Sequence, residues 1–221
     1  MPGDASRAPL DPRRAATKKR LAETAAALQW DRGRWFWLLL ILLVLDVVLA
    51  FGDNINDPLR YDRAGIAAGG WWRLLTAHLV HLDVHHLVLN ELGIVLLWSL
   101  FAEDYDPVEW CAIVLGGALA ISAGLWWLSP RVFWYVGASG VLHAVMAAGT
   151  VKHFVLRAWD RLILLCGFAG KLAYDQLAAR PGPLIVIDAH LYGAVAGFAV
   201  GAVLCGRTAI IRHRLRASGS S

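Results

Sequence analysis

Residues 190–201 read HLYGAVAGFAVG, an apolar stretch in which glycines follow a single histidine at a helical spacing. Gly193, Gly197 and Gly201 stand three, seven and eleven positions after His190, so all four lie on one face of a helix. Positions without side chains at this spacing let a second helix approach closely inside a membrane. The stretch therefore predicts a membrane helix that packs tightly against a neighbour and holds a histidine at the contact.

The expected neighbour begins with GASGVLHA at residues 137–144, where a serine stands between glycines at the start of an apolar segment. Counted at 1.5 Å per residue from the basic ends of their segments, Ser139 and His190 lie roughly 20 and 26 Å from the cytoplasmic edge. Both positions fall in the outer layer of a hydrocarbon core about 30 Å thick. A serine hydroxyl is a poor nucleophile until a base accepts its proton, and imidazole is the usual base. We expect Ser139 to contact His190.

The composition is that of an integral membrane protein: 58% of the 221 residues are hydrophobic and 17% are charged. Fifteen of the 21 lysines and arginines fall before the first apolar segment, at positions 152–161 or after position 206. This asymmetry predicts that both termini are cytoplasmic, and it argues against a nucleic-acid partner. The three cysteines lie in separate apolar segments without metal-site spacing, so we expect neither a disulfide framework nor a metal site from them.

The fold class expected is an all-α membrane protein, a bundle of six transmembrane helices. The predicted spans are Trp35–Phe51, Val84–Phe101, Val108–Leu128, Ser139–Lys152, Trp159–Ala178 and Asp188–Cys205. Residues 1–34 are expected to form a mobile cytoplasmic tail, residues 35–206 the functional domain, and residues 207–221 a basic cytoplasmic tail.

Three features would serve a peptide-cleaving serine. His86 and Asn90 stand one helical turn apart on the second span and offer two side-chain donors to a developing oxyanion. Ser139 opens a helix and therefore has free backbone N–H groups beside it. Gly137 and Gly140 permit the tight backbone that such a serine needs.

Four histidines in nine residues, at positions 78, 81, 85 and 86, raise an alternative. Such a cluster could bind zinc, copper or haem iron. It lacks a cysteine and has no carboxylate nearby beyond Asp83, so we expect no metal and no cofactor. His78, His81 and His85 are instead expected at the membrane interface, with Asp83 as an N-cap of the second span.

Four motifs in order resemble the rhomboid family of intramembrane serine proteases. They are Trp72-Arg73, His86-xxx-Asn90, Gly137-Ala138-Ser139-Gly140 and His190-xx-Gly193-xxx-Gly197. The resemblance implies that Ser139 is the nucleophile, that His190 is its base, and that His86 and Asn90 supply oxyanion donors. In the family an acidic residue holds the first loop by contacting an arginine. The resemblance matches Glu103 to this acid and Arg73 to this arginine.

Within that family, the compact form and GASGVLHA look most like rhombosortase. His143 stands where many rhomboids have tyrosine, and either catalytic support or packing would explain it. The resemblance implies that the substrates are single-pass membrane proteins with a C-terminal Gly-Gly motif, a transmembrane segment and a basic end. It further implies a bacterial inner membrane with the active site facing the periplasm. The alternatives are a general rhomboid protease with other substrates and a non-catalytic rhomboid-like protein that binds clients.

The fifth span carries Lys171, Asp175 and Gln176 in its outer half. The first two are four residues apart and would form an ion pair near the membrane interface. Alternatively, the three residues belong to a substrate gate and recognise the Gly-Gly segment.

Overall fold

The structure is a computed structural model that describes residues 30–177 and 187–218. Most of the predicted N-terminal tail, to residue 29, and the last three residues of the C-terminal tail lie outside the described residues. The contacts divide the chain into two units, residues 1–40 and 41–221. The described part of the first unit is the beginning of one helix, and the second unit contains all the other described elements.

The described residues are mainly helical. In chain order the elements are α1 (Trp30–Ala50), α2 (Asp53–Leu59), β1 (Tyr61–Asp62), α3 (Arg63–Ala67), α4 (Arg73–Thr76), α5 (Val84–Phe101), α6 (Pro107–Trp127), β2 (Trp134–Tyr135), α7 (Ser139–Val155), α8 (Arg161–Leu177) and α9 (Ile187–Ser218). The two short strands pair antiparallel, with Tyr61 opposite Tyr135.

Each of the six predicted spans overlaps a helix, and α5 has the predicted bounds. Within the described residues, four helices are long and apolar enough to cross a bilayer: α1, α5, α6 and α9. Helices α7 and α8 have 17 residues each, near the lower limit for a span. The protein is a multi-pass membrane protein, while six spans with both termini in the cytoplasm stay a prediction.

The segment between α1 and α5 is folded rather than an open loop. It contains α2, α3, α4 and β1, and the guanidinium of Arg63 ties it to the end of α6. That guanidinium donates to the carbonyls of Leu125, Trp126 and Ser129 at 2.6, 3.0 and 3.2 Å. The last carbonyls of a helix have no partner within the helix, so this arginine satisfies them.

Helix α9 packs against α7 through the predicted glycine stripe. A Cβ atom built on Gly193 would lie 2.0 Å from the carbonyl oxygen of Gly140, and one on Gly197 would lie 2.1 Å from that of Ala144. Because lipid provides no hydrophobic force between helices, this association depends on close van der Waals packing. The stripe therefore brings the backbones of the two helices into direct contact.

A buried cluster lies at the level where these two helices begin. Its members are apolar and come from the folded segment, α6, β2, α7 and α9: Tyr61, Ile66, Ala77, Ala118, Ile121, Leu125, Tyr135, Val141 and Ala189. The cluster includes Val141 in the first turn of α7, which is thereby packed against α6, α9 and the folded segment.

The packing of α9 on α7 can be tested with Gly197→Ala. We expect the added methyl to clash with the carbonyl of Ala144 and to destabilise the protein by about 1–3 kcal/mol. Gly206→Ala on the same helix is the matched control, because nothing lies within 4 Å of its Cβ position. Thermal unfolding followed by circular dichroism in detergent would compare them. Equal unfolding temperatures for the two variants would contradict the close approach.

Candidate active site

Ser139 and His190 are in contact, as the depth count predicts. Ser139 is the first residue of α7, and His190 lies in the first turn of α9. The hydroxyl oxygen of Ser139 is 2.8 Å from Nε2 of His190. His190 is 7% exposed, so its ring is shielded from bulk water. The glycine contact between α7 and α9 is what makes this approach geometrically feasible.

Asp175 approaches the other side of the same imidazole. Its Oδ2 lies 2.9 Å from Nδ1 of His190. An ionised carboxylate can only accept hydrogen bonds, so Nδ1 carries the proton and donates it. Nε2 is then left with its lone pair facing the Ser139 hydroxyl. The three side chains form a continuous chain of contacts across α7, α9 and α8.

Sequence reasoning missed this contact, since it assigned Asp175 to an ion pair or a substrate gate. The ion pair is present, with Nζ of Lys171 2.7 and 2.6 Å from the two carboxylate oxygens of Asp175. A signal was available, because Asp175 is the one acid in α8. The side chain of Gln176, the third predicted gate residue, lies outside the described part of the chain.

His143 packs on His190. The two rings are nearly parallel, with centroids 4.2 Å apart and an interplanar angle of 11°. Nδ1 of His143 donates to the backbone carbonyl of Ser139 at 2.7 Å. Its Nε2 is 3.4 Å from Oδ2 of Asp175 but has no hydrogen-bond partner. His143 thus covers one face of the His190 ring.

The turn before Ser139 is held at several points. Gly137 has φ +119°, a conformation that residues with a Cβ rarely adopt. Its carbonyl accepts from the hydroxyl of Tyr135 at 2.7 Å, and its N–H donates to the carbonyl of Ala77 at 3.0 Å. Gly140 is confined as well, since a Cβ there would lie 2.9 Å from the carbonyl of Ala189. Tyr135 was not among the predicted residues, although it stands just before the serine motif.

His86 faces this turn. Its Nδ1 accepts from the N–H of Leu82 at 3.5 Å, which leaves Nε2 as the N–H donor. A Cβ on Gly137 would lie 2.7 Å from Cε1 and 2.9 Å from Nε2 of His86, so this edge of the ring lies against the turn that precedes Ser139. Asn90 is buried, and its amide donates to the carbonyl of His86 at 2.9 Å. The structure therefore brings His86 against the turn that precedes Ser139 and holds Asn90 one helical turn further along α5.

His78 and His81 are buried inside the protein, at 5% and 1% exposed, and their position at the membrane interface stays a prediction. Burial lowers the pKa of His78 to about 4, so it is neutral near pH 7. Its Nε2 lies 3.1 Å from the carbonyl oxygen of Ala118. His85 is exposed, and Asp83 caps α5 as predicted by accepting from the N–H of His86 at 2.7 Å.

The histidine cluster at 78–86 does not converge as a metal site. Among the described residues, the group whose potential ligand atoms lie within 4.8 Å of one another is instead His143, Asp175 and His190.

The sequence predicts that Arg73 contacts Glu103, but in the structure Arg73 binds backbone carbonyls of its own segment. Nη1 of Arg73 donates to the backbone carbonyls of Asp57 and Arg60 at 2.7 and 3.0 Å. Glu103 follows the C-terminal end of α5, a helix of 18 residues and therefore about 27 Å long, whereas Arg73 precedes that helix. Arg73 thus stabilises the folded segment from within.

The chain is similar to known proteins. The family described as Rhomboid domain matches residues 68–207. The rhomboid protease homologue YdcA of Bacillus subtilis (strain 168) is 26% identical over 169 residues, which cover 73% of this chain and 79% of YdcA. Rhomboid protease GluP of the same organism is 28% identical over 103 residues, which are 47% of this chain and 18% of GluP. RHOMBOID-like protein 9, chloroplastic, of Arabidopsis thaliana is 32% identical over 75 residues, or 34% of this chain and 16% of that protein.

The stacking of His143 on His190 predicts a graded effect of substitution. His143→Ala removes the stacked ring, and we expect the reaction of Ser139 with a fluorophosphonate to slow about tenfold, since such ring pairs contribute about 0.5–1.5 kcal/mol. His143→Phe keeps a flat ring in place, so its labelling rate should fall less than that of His143→Ala. Labelling rates at matched amounts of folded protein would provide the comparison. A wild-type rate in His143→Ala would show that the ring has no supporting role.

Proposed function

Because this chain belongs to the rhomboid family of intramembrane serine proteases, we propose that Ser139 and His190 are its catalytic nucleophile and base. The observation that carries the proposal is the 2.8 Å distance between the Ser139 hydroxyl and Nε2 of His190. A half-buried serine and a buried histidine at this depth would be costly without a partner, and here each is the partner of the other.

The proposed reaction is hydrolysis of a peptide bond through an acyl-enzyme. Nε2 of His190 accepts the hydroxyl proton of Ser139 while the oxygen attacks the scissile carbonyl carbon. The tetrahedral intermediate collapses when His190 returns that proton to the leaving amine. Water then adds to the ester, with His190 again as base, and releases the acid product and the free serine.

The developing oxyanion needs donors fixed in advance. We propose Nε2–H of His86 and the backbone N–H of Ser139 for this role, because both lie at the turn before α7. Asn90 would contribute by rotating its amide or by holding the backbone of His86, to which it already donates. Gly137, Gly140, Gly193 and Gly197 would act through the backbone geometry that they permit.

For the substrate, we propose single-pass membrane proteins that end in a Gly-Gly motif, a transmembrane helix and basic residues. The support is the resemblance of GASGVLHA to rhombosortase, together with the stacking of His143 on His190, the proposed base. A Gly-Gly pair also suits the chemistry, because each glycine disfavours a helix by about 1 kcal/mol and so exposes the carbonyl to attack. The basic end would remain on the cytoplasmic side.

This role would place the protein in a bacterial inner membrane with the active site facing the periplasm. Substrate would enter from the lipid bilayer. The ammonium of Lys171 is the more accessible partner of its ion pair, at 51% against 11% for Asp175. Recognition of the substrate by α8 would therefore fall mainly to Lys171.

Fluorophosphonate labelling tests the proposed pair. We expect wild-type protein to be labelled at Ser139, and Ser139→Ala and His190→Ala to lose labelling while they remain folded. His86→Ala should retain weak labelling, because loss of one oxyanion donor reduces a rate by about 10²–10³-fold. Mass spectrometry would locate the adduct. A label on another residue, or full labelling of Ser139→Ala, would overturn the mechanism.

Cleavage of a reporter protein tests the proposed substrate. The reporter carries the Gly-Gly motif, a transmembrane helix and a basic end, and is reconstituted with the enzyme in liposomes. We expect cleavage at or next to the glycines and at least a tenfold loss when both are replaced by valine, because the helix then extends through the scissile bond. Enzyme with Ser139→Ala is the control for contaminating proteases.

Equal cleavage of the glycine and valine reporters would favour a general rhomboid protease. Binding of both reporters by an enzyme that cleaves neither and is not labelled would favour a client-binding protein.

A further inference from the structure

We propose that Asp175 is a positioning residue for His190, so that α8 supplies a third member to the Ser139–His190 pair. The inference rests on the proposed function, because it assigns to Asp175 the orientation of the proposed base. It differs from the two roles that the sequence indicates for Asp175, a surface ion pair and a contact to substrate.

The first support is the geometry at Nδ1. The carboxylate oxygen lies 2.9 Å from Nδ1 of His190, and the serine oxygen lies 2.8 Å from Nε2 of the same ring. Because the carboxylate accepts the Nδ1 proton, only one neutral tautomer fits, and it is the one in which Nε2 can receive the serine proton. When that proton arrives, the carboxylate stabilises the imidazolium that forms.

The second support is how Asp175 is held. Its side chain is 11% exposed, and a buried carboxylate is costly unless it is paired and hydrogen-bonded. Lys171, one turn earlier on α8, contacts both carboxylate oxygens at 2.6 and 2.7 Å. The ammonium keeps the carboxylate ionised and fixes its rotation, so Oδ2 stays directed at His190.

A simple surface ion pair does not account for this arrangement. A lysine and an aspartate four residues apart need only each other, and in that role both would extend toward water. Here Lys171 is half exposed, whereas Asp175 turns inward to a residue on another helix. An ion pair with Lys171 therefore does not explain why Asp175 contacts His190.

A bound metal ion is the other arrangement to consider, because Asp175, His190 and His143 could each offer a ligand atom. The lone pair of an imidazole nitrogen lies in the plane of its ring, and these two rings are stacked at 4.2 Å with planes only 11° apart. One ion cannot lie in both planes at bonding distance. The Lys171 ammonium, 2.6 Å from Oδ2 of Asp175, would also repel a cation at that oxygen.

The test is the rate at which a fluorophosphonate labels Ser139, since this reagent carries no tail for α8 to recognise. We expect Asp175→Asn to lower the rate by about 10²–10⁴-fold, toward the loss seen when the aspartate of a soluble Ser-His-Asp triad becomes asparagine. Asp175→Glu, which restores a carboxylate, should recover part of that rate.

The dependence of the labelling rate on pH separates positioning from mere folding. Among the described residues, the charged and titratable groups that face Asp175 and His190 are Lys171 on α8 and His143 on α7. Without the carboxylate, and with the positive Lys171 still present, protonated His190 becomes less favourable. The acid limb of the rate profile should therefore shift to lower pH in Asp175→Asn, and back toward the wild-type position in Asp175→Glu.

Asp160→Asn is the matched control. Oδ1 of Asp160 lies 2.8 Å from Nδ1 of His153 in a similarly buried aspartate–histidine contact, far along α7 from Ser139. Its loss should change stability without shifting the pH profile of labelling. Circular dichroism and gel filtration would correct every rate for the folded fraction.

The outcomes separate this inference from the proposed function. If Ser139→Ala abolishes labelling but Asp175→Asn reacts at the wild-type rate with an unchanged profile, the pair stands and the positioning role is refuted. The same holds if Asp175→Asn and Asp160→Asn lose rate equally, without a shift. Binding of one zinc ion, measured by metal analysis and lost in Asp175→Asn, would also overturn it in favour of a metal site. If Ser139→Ala is still labelled, the proposed function itself fails.

Discussion

Helix α9 lies so close to α7 that only glycine fits at the contact, and the remainder of the site depends on this approach. A Cβ on Gly193 or Gly197 would fall about 2 Å from a carbonyl oxygen of α7. Within lipid, helices gain little from hiding apolar surface, so backbone contact and dispersion provide the attraction. The approach places the first turn of α9 against the first turn of α7, where His190 meets Ser139. A larger residue in the stripe would separate these side chains as well as the helices.

The serine also needs a fixed backbone, which the segment between α1 and α5 provides. Arg63 ties that segment to the last turn of α6, and the carbonyl of Ala77 accepts the N–H of Gly137. From the other side, the buried hydroxyl of Tyr135 donates to the carbonyl of Gly137. An irregular backbone at membrane depth persists only where its polar groups are satisfied by protein. These contacts therefore allow a strained glycine turn to precede the helix.

Two aspartate–histidine contacts hold charged groups inside the bundle, one at each end of α7. Asp175 is shared by Lys171 and His190, and at the other end of α7 His153 bridges Asp104 and Asp160 at 2.8 Å each. Both ring nitrogens of His153 face acceptor-only carboxylates, so this histidine carries both protons there. The ring of His190 instead faces one carboxylate, from Asp175, and one hydroxyl, from Ser139. Its Nε2 therefore keeps a lone pair that can accept the serine proton. Because Asp175 belongs to α8, any displacement of α8 would separate it from His190.

The sequence alone determined the six long helices, the glycine stripe and the layer shared by Ser139 and His190, because hydrophobic runs, glycine spacing and rise per residue are properties of single helices. It predicted Lys171 and Asp175 as a local pair for the same reason, since both lie on one helix. Only the tertiary structure decided that Asp175 also meets His190, that His143 stacks on it, and that His78 and His81 are buried. The helical period determines which residues share a face, but not how that face is rotated toward its neighbours. That rotation is set by packing across several helices at once.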